Sequence, residues 1–103
     1  MDIVIYMNPK DFIHKTMHAI TAYWSMGRVP RNFNGDKDRI YLATCGEVHG
    51  SMQCEEFNPE DLNGETIVWD SRTWKELIYN PIECKPFRGF RYRWWDKEEN
   101  DEK

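Results

Sequence analysis

The stretch that decides the fold runs from residue 35 to residue 57, GDKDRIYLATCGEVHGSMQCEEF. Residues 39–45 (RIYLATC) and 48–57 (VHGSMQCEEF) are β-forming runs, and they meet at Gly46-Glu47. Two such runs joined across a glycine read as an antiparallel hairpin. In the first run Ile40, Leu42 and Thr44 fall on one face and Tyr41, Ala43 and Cys45 on the other, because side chains alternate along a strand. Gly50 inside the second run predicts a bulge or a close backbone approach.

Toward the N-terminus, residues 2–7 form a short continuous apolar run that reads as a strand. Asn8 then supplies an N-cap, Pro9 suits the first helical position, and Asp11 favours the first turn. Phe12, Ile13, Met17, Ile20 and Trp24 recur at helical spacing, which predicts a main helix running to Tyr23 or Trp24, before Gly27. Residues 25–38 are a loop rich in turn-formers, with Arg28 and Arg31 in it.

Toward the C-terminus, residues 65–69 (ETIVW) read as a strand. Residues 72–79 read as a short helix packed through Trp74, Leu77 and Ile78 and stopped by Asn80-Pro81. In residues 87–95 (FRGFRYRWW), Phe90, Tyr92 and Trp94 alternate with Arg91, Arg93 and Trp95, a strand with one aromatic and one basic face. The order β-α-loop-β-β-β-α-β, with a long hairpin and no repeated crossover, predicts an α+β domain on an antiparallel or mixed sheet, curled towards a barrel. The expected core holds Ile3, Ile5, Phe12, Ile13, Met17, Ile20, Ile40, Leu42, Met52, Ile67, Trp74, Leu77, Phe90 and Tyr92.

At 103 residues the chain has room for one domain. Its net charge of −4 argues against nonspecific nucleic-acid binding over the whole surface. Much of that charge is local. Residues 96–103 (DKEENDEK) carry five acids and two lysines, leaving 12 basic and 13 acidic groups in residues 1–95. The expected organisation is therefore a domain over 1–95 and a disordered acidic tail over 96–103. No signal peptide or membrane span is read. Cys45, Cys54 and Cys84 are three in number with no C-x-x-C pair, so they read as reduced thiols of a cytoplasmic protein.

The hairpin, with Gly35-Asp36 before it and Val48 and Gly50 in its second strand, resembles the central segment of PUA-like domains, the superfamily of ASCH, EVE and YTH domains. The element order and the closing aromatic-basic strand are similar too. The resemblance implies a small PUA-like β-barrel or strongly curled mixed sheet with one main and one short helix. Some small ASCH members hydrolyse acetylated cytidine through a Lys, Thr and Glu. Here the segment after the first helix is Gly27-Arg28-Val29-Pro30-Arg31, without the matching Lys and Glu, so that chemistry is not carried over. A nucleoside amidohydrolase stays as an alternative.

His14 and His18 stand four apart, as two metal ligands on a helix would, but Lys15 follows His14 where a glutamate is needed and no third ligand is evident. Cys45 and His49 flank the hairpin turn without a signal for a nucleophile and base. No catalytic residue, metal or cofactor is assigned.

The strongest functional signal is six cations in two short segments, Arg28 and Arg31, then Lys85, Arg88, Arg91 and Arg93, interleaved with aromatics. Cations that neutralise phosphates beside rings that stack on bases are how single strands are held. The expected ligand is RNA or single-stranded DNA, with a modified base among the candidate targets. The six cations would hold the backbone, and Trp24 with Trp69 or Trp95 would stack a base. Two alternatives stand beside it. The aromatics fill the core and the arginines are solvated or paired with acids, or the chain is a small protein-interaction module such as a phage or host-interference factor.

Overall fold

The computed structural model describes residues 1–77 and 82–96. It is a strongly curled mixed sheet with a short helix, an α+β fold built mostly of strands. The strands are β1 (Ile3–Tyr6), β2 (Thr21–Ser25), β3 (Arg39–Thr44), β4 (Glu47–Glu56), β5 (Thr66–Glu76), β6 (Ile82–Glu83) and β7 (Arg91–Tyr92). Their order in the sheet is β2-β5-β4-β3-β1-β7, with β6 paired to the start of β4. β1 runs parallel to β3, and the other pairings are antiparallel. Among the described residues, no helix is long and apolar enough to cross a membrane.

The sheet is covered on both faces, which explains the continuous apolar run of β1. Ile3, Ile5, Ile40, Leu42, Met52, Ile67, Trp69 and Phe90 point into the larger core. Val4, Tyr41, Ala43 and Val48 point the other way, into a smaller cluster closed by Leu77 and Cys84, with Phe87 and Trp95 packed on it.

The 39–57 hairpin forms, with its turn at Cys45-Gly46, one residue earlier than read. Both turn residues have positive φ, 52° and 86°, the handedness that a two-residue hairpin loop requires. Gly50 marks a close approach. A Cβ there would lie 2.6 Å from the Lys75 carbonyl oxygen and 2.6 Å from the Trp74 ring, and the register shifts beside it, between Leu42 and Ala43.

Two helices differ from the sequence reading. The main helix is α1 (Pro9–Ile13), capped by Asn8 accepting from the Asp11 amide, followed by a π-helical turn, His14–His18. It stops there because Thr21, Tyr23 and Trp24 are strand-formers, and the segment Thr21–Ser25 pairs with β5. With the early stop, Ile13, Met17 and Ile20 are exposed and not core. Phe12 makes the core contact, against the His49 and Trp74 rings at 5.2 and 5.9 Å. The short helix expected at 72–79 is, through residue 76, a continuation of β5; Leu77 follows it, buried in the smaller cluster, and Ile78 and Tyr79 lie outside the described residues, as does the tail from 97.

β5 continues as a strand only by bulging. Gln53 pairs with Asp70 and Ser51 with Lys75, so four residues of β5 loop out against one of β4. The loop is held internally: the Thr73 hydroxyl donates to the Asp70 carbonyl (2.6 Å) and accepts from the Gln53 amide (2.8 Å). Two hydrogen bonds from the Arg72 guanidinium and one from its backbone amide hold the Asp70 carboxyl below the usual carboxylate range.

Candidate nucleic-acid interface

The C-terminal segment sends aromatic and basic side chains to opposite faces of the sheet. On β7, Tyr92 joins Phe90 in the larger core, while Arg91 and Arg93 face the smaller cluster. The alternation of an aromatic and a basic face is thus present over residues 90–93. It ends there, because the strand itself covers only Arg91 and Tyr92.

Lys85 and Arg91 come together in one groove of about 290 Å³, lined also by Glu83, Cys84, Phe87 and Trp94. The Arg91 guanidinium lies 5.1 Å over the Phe87 ring, whose other neighbour is Tyr6 at 6.0 Å. Phe87 is therefore a wall of the groove. Trp94 is 47% exposed and meets Trp95 edge to face at 5.1 Å, so its indole is held at one side and open to solvent over the rest. Burial pushes the Cys84 thiol up, against the pull of the Arg91 charge.

Arg28 and Arg88 come together elsewhere, around a shallow notch beside Gly27 and Gly89. The Arg28 guanidinium stacks 4.0 Å from the Phe90 ring centre and donates from Nη2 to the Phe90 carbonyl at 3.1 Å. Among the described residues, Arg28, Lys85, Arg88 and Arg91 form no ion pair.

The remaining expected site residues have other roles. Trp69 is a correction: it is fully buried, and its indole N–H donates to the Lys15 carbonyl at 3.2 Å, so no base can reach it. Arg93 is half-buried and ties the chain ends together, pairing with Asp2 at 3.0 Å and donating to the Trp95 carbonyl at 2.8 Å. Arg31 pairs with Glu60 at 3.2 Å on the surface. Trp24 sits on β2, partly buried against the larger core, with the Lys15 ammonium 5.7 Å from its ring. Trp95 packs against Tyr41 at 5.1 Å. The sequence reading missed Trp94 as a surface ring, because strict alternation gave it the core parity of Phe90 and Tyr92.

The rejected chemistry has simple geometry. The His14 and His18 rings stack 6.5 Å apart on the exposed π-helical turn. Among the described residues no group of three or more His, Cys, Asp or Glu side chains is placed to hold a metal. His49 Nε2 is engaged with the Thr44 carbonyl at 3.0 Å, and Cys45 is exposed on the turn.

No protein-family model matches the chain, and no solved structure matches it. Over 74 residues, 71% of the chain, it is 34% identical to the RNA polymerase I-specific transcription initiation factor RRN6 of Saccharomyces cerevisiae. The chain spans about 8% of that relative's length.

Proposed function

We propose that this domain binds single-stranded nucleic acid, RNA or single-stranded DNA, with its curled sheet being of the PUA-like kind. The observation that carries the reading is the groove in which Lys85 and Arg91 stand beside the open indole of Trp94. A base stacks on Trp94 while the two cations meet the flanking phosphates. Glu83 at the groove's rim repels a strand laid over it and narrows the path to the side of the cations. The overall charge of −4 makes this local arrangement the source of attraction. A modified base is a candidate target of the same stacking surface.

The test is a fluorescence titration of short RNA and DNA oligomers at two salt concentrations. Binding should weaken with salt at a log-log slope of about −0.7 per phosphate contact. No binding at low salt, or binding unchanged in a Lys85→Ala, Arg91→Ala double variant, removes the proposal.

A second reading, a protein-interaction module, is favoured by a different observation. Ile13, Met17, Ile20 and Tyr23 are 45%, 76%, 65% and 64% exposed around the π-helical turn and β2. An aspartate at Met17 or Ile20 would abolish partner binding under this reading and leave oligomer binding intact.

A further inference from the structure

The notch between Gly27 and Gly89 is the second place where two of the arginines meet, and it is preformed. Gly27 and Gly89 both have φ of +76°, a conformation that side-chain-bearing residues rarely adopt. A Cβ on Gly89 would lie 2.6 Å from the Met26 carbonyl oxygen, so the two loops are locked in contact. Phe90 is buried, and by stacking under Arg28 and accepting from it, fixes that guanidinium before any ligand arrives. Arg88 is exposed and lines the same notch. Among the described residues no acid lines it, in contrast to the Lys85–Arg91 groove with its Glu83.

One fixed guanidinium, that of Arg28, and one exposed guanidinium, that of Arg88, around a shallow concavity suit one tetrahedral oxyanion, since the planar fork of an arginine donates in parallel to two phosphate oxygens. The charge count discriminates further. An internal phosphodiester carries one negative charge, whereas a phosphate monoester carries about −1.5 to −2 near neutral pH and is matched by two arginines. We infer that the Arg28–Arg88 notch holds the terminal phosphate monoester of a nucleic-acid strand. This rests on the nucleic-acid reading above and adds the requirement for a phosphorylated end.

The experiment compares three oligomers of one sequence, with a 5′-phosphate, with a 3′-phosphate and with neither, and adds inorganic phosphate as a separate ligand. One terminal phosphate should tighten binding about tenfold or more, as charge-assisted hydrogen bonds to a dianion do. Arg88→Ala should erase the difference between phosphorylated and plain strands. Arg28→Lys should shrink it while keeping the charge, and a thermal melt of each variant checks the fold. Equal affinity for all three strands overturns the inference and leaves the nucleic-acid reading standing. No binding by any strand at low salt overturns both. If inorganic phosphate shifts the Gly27 and Gly89 amide resonances while terminal phosphates add nothing, the site serves free phosphate and the inference is likewise overturned.

Discussion

Arg39 and Thr73, 34 residues apart, are joined by a hydrogen bond of 3.0 Å from the Arg39 guanidinium to the Thr73 carbonyl. The same guanidinium donates to the Ser51 hydroxyl at 2.7 Å and to the Ser51 carbonyl at 3.1 Å. Arg39 stands on β3, Ser51 on β4 and Thr73 in the bulge of β5, so one side chain bridges three strands where the β4–β5 ladder is interrupted. Ser51 is buried, and without the arginine its polar groups lose their partner. Arg39→Ala should therefore destabilise the fold by roughly 2–3 kcal/mol. Arg39→Lys should recover only part of this, because an ammonium cannot span the fork. Urea melts of the three proteins read both effects, and a loss under about 0.5 kcal/mol, the usual range for surface substitutions, would contradict the account.

The hairpin turn carries a residue poorly suited to its backbone. Cys45 has φ of 52°, a region where asparagine is several-fold enriched and most other residues are disfavoured. Cys45→Asn should raise stability by about 0.5–1 kcal/mol through better turn chemistry. A melting temperature that falls would show that the thiol makes a contact worth more than the strain.

Cys54 supplies a pH signature. Burial, reinforced by Asp36, Glu55 and Glu56 and opposed by a backbone hydrogen bond at Glu56, pushes its thiol up from 9.0 to about 11. A thiol raised in the folded state favours folding fully below its unfolded value, and that contribution is lost as pH rises through the folded value. Stability should thus decline between about pH 9 and pH 11, and Cys54→Ala should flatten that part of the curve. Iodoacetamide at pH 8.5 should label exposed Cys45 before Cys54, which peptide mapping would read.

Trp69 and Trp94 separate packing from recognition. Trp69→Ala should cost about 3–5 kcal/mol, as the loss of a fully buried large ring does. Trp94→Ala should leave the melt within about 1 kcal/mol of native while weakening oligomer binding by roughly 1–3 kcal/mol. Equal binding by native protein and Trp94→Ala would place the stacking ring elsewhere.

The sequence by itself determined the local features whose signals lie within a few residues. β1 was legible because a short apolar run buried on both faces needs no partner to be recognised. The start of α1 was legible in Asn8-Pro9-Lys10-Asp11, where cap and dipole act over one turn. The β3–β4 hairpin was legible because strand alternation and a positive-φ glycine are local, and Gly50 announced the approach of Trp74 without naming it. Tertiary structure decided the rest. Residues 19–25 have helical spacing and strand-forming side chains at once, and pairing with β5 settled the contest for the strand. Residues 72–76 could cap and coil locally, but the Arg39 and Gln53 hydrogen bonds from neighbouring strands hold them as a bulged edge of β5. The candidate site was legible only as a composition of cations and rings. Which arginines stay open depends on acids far away in the chain: Asp2 takes Arg93 across 91 residues and Glu60 takes Arg31 across 29. Side-chain pairing over such separations is a property of the folded surface, and no spacing rule in the sequence encodes it.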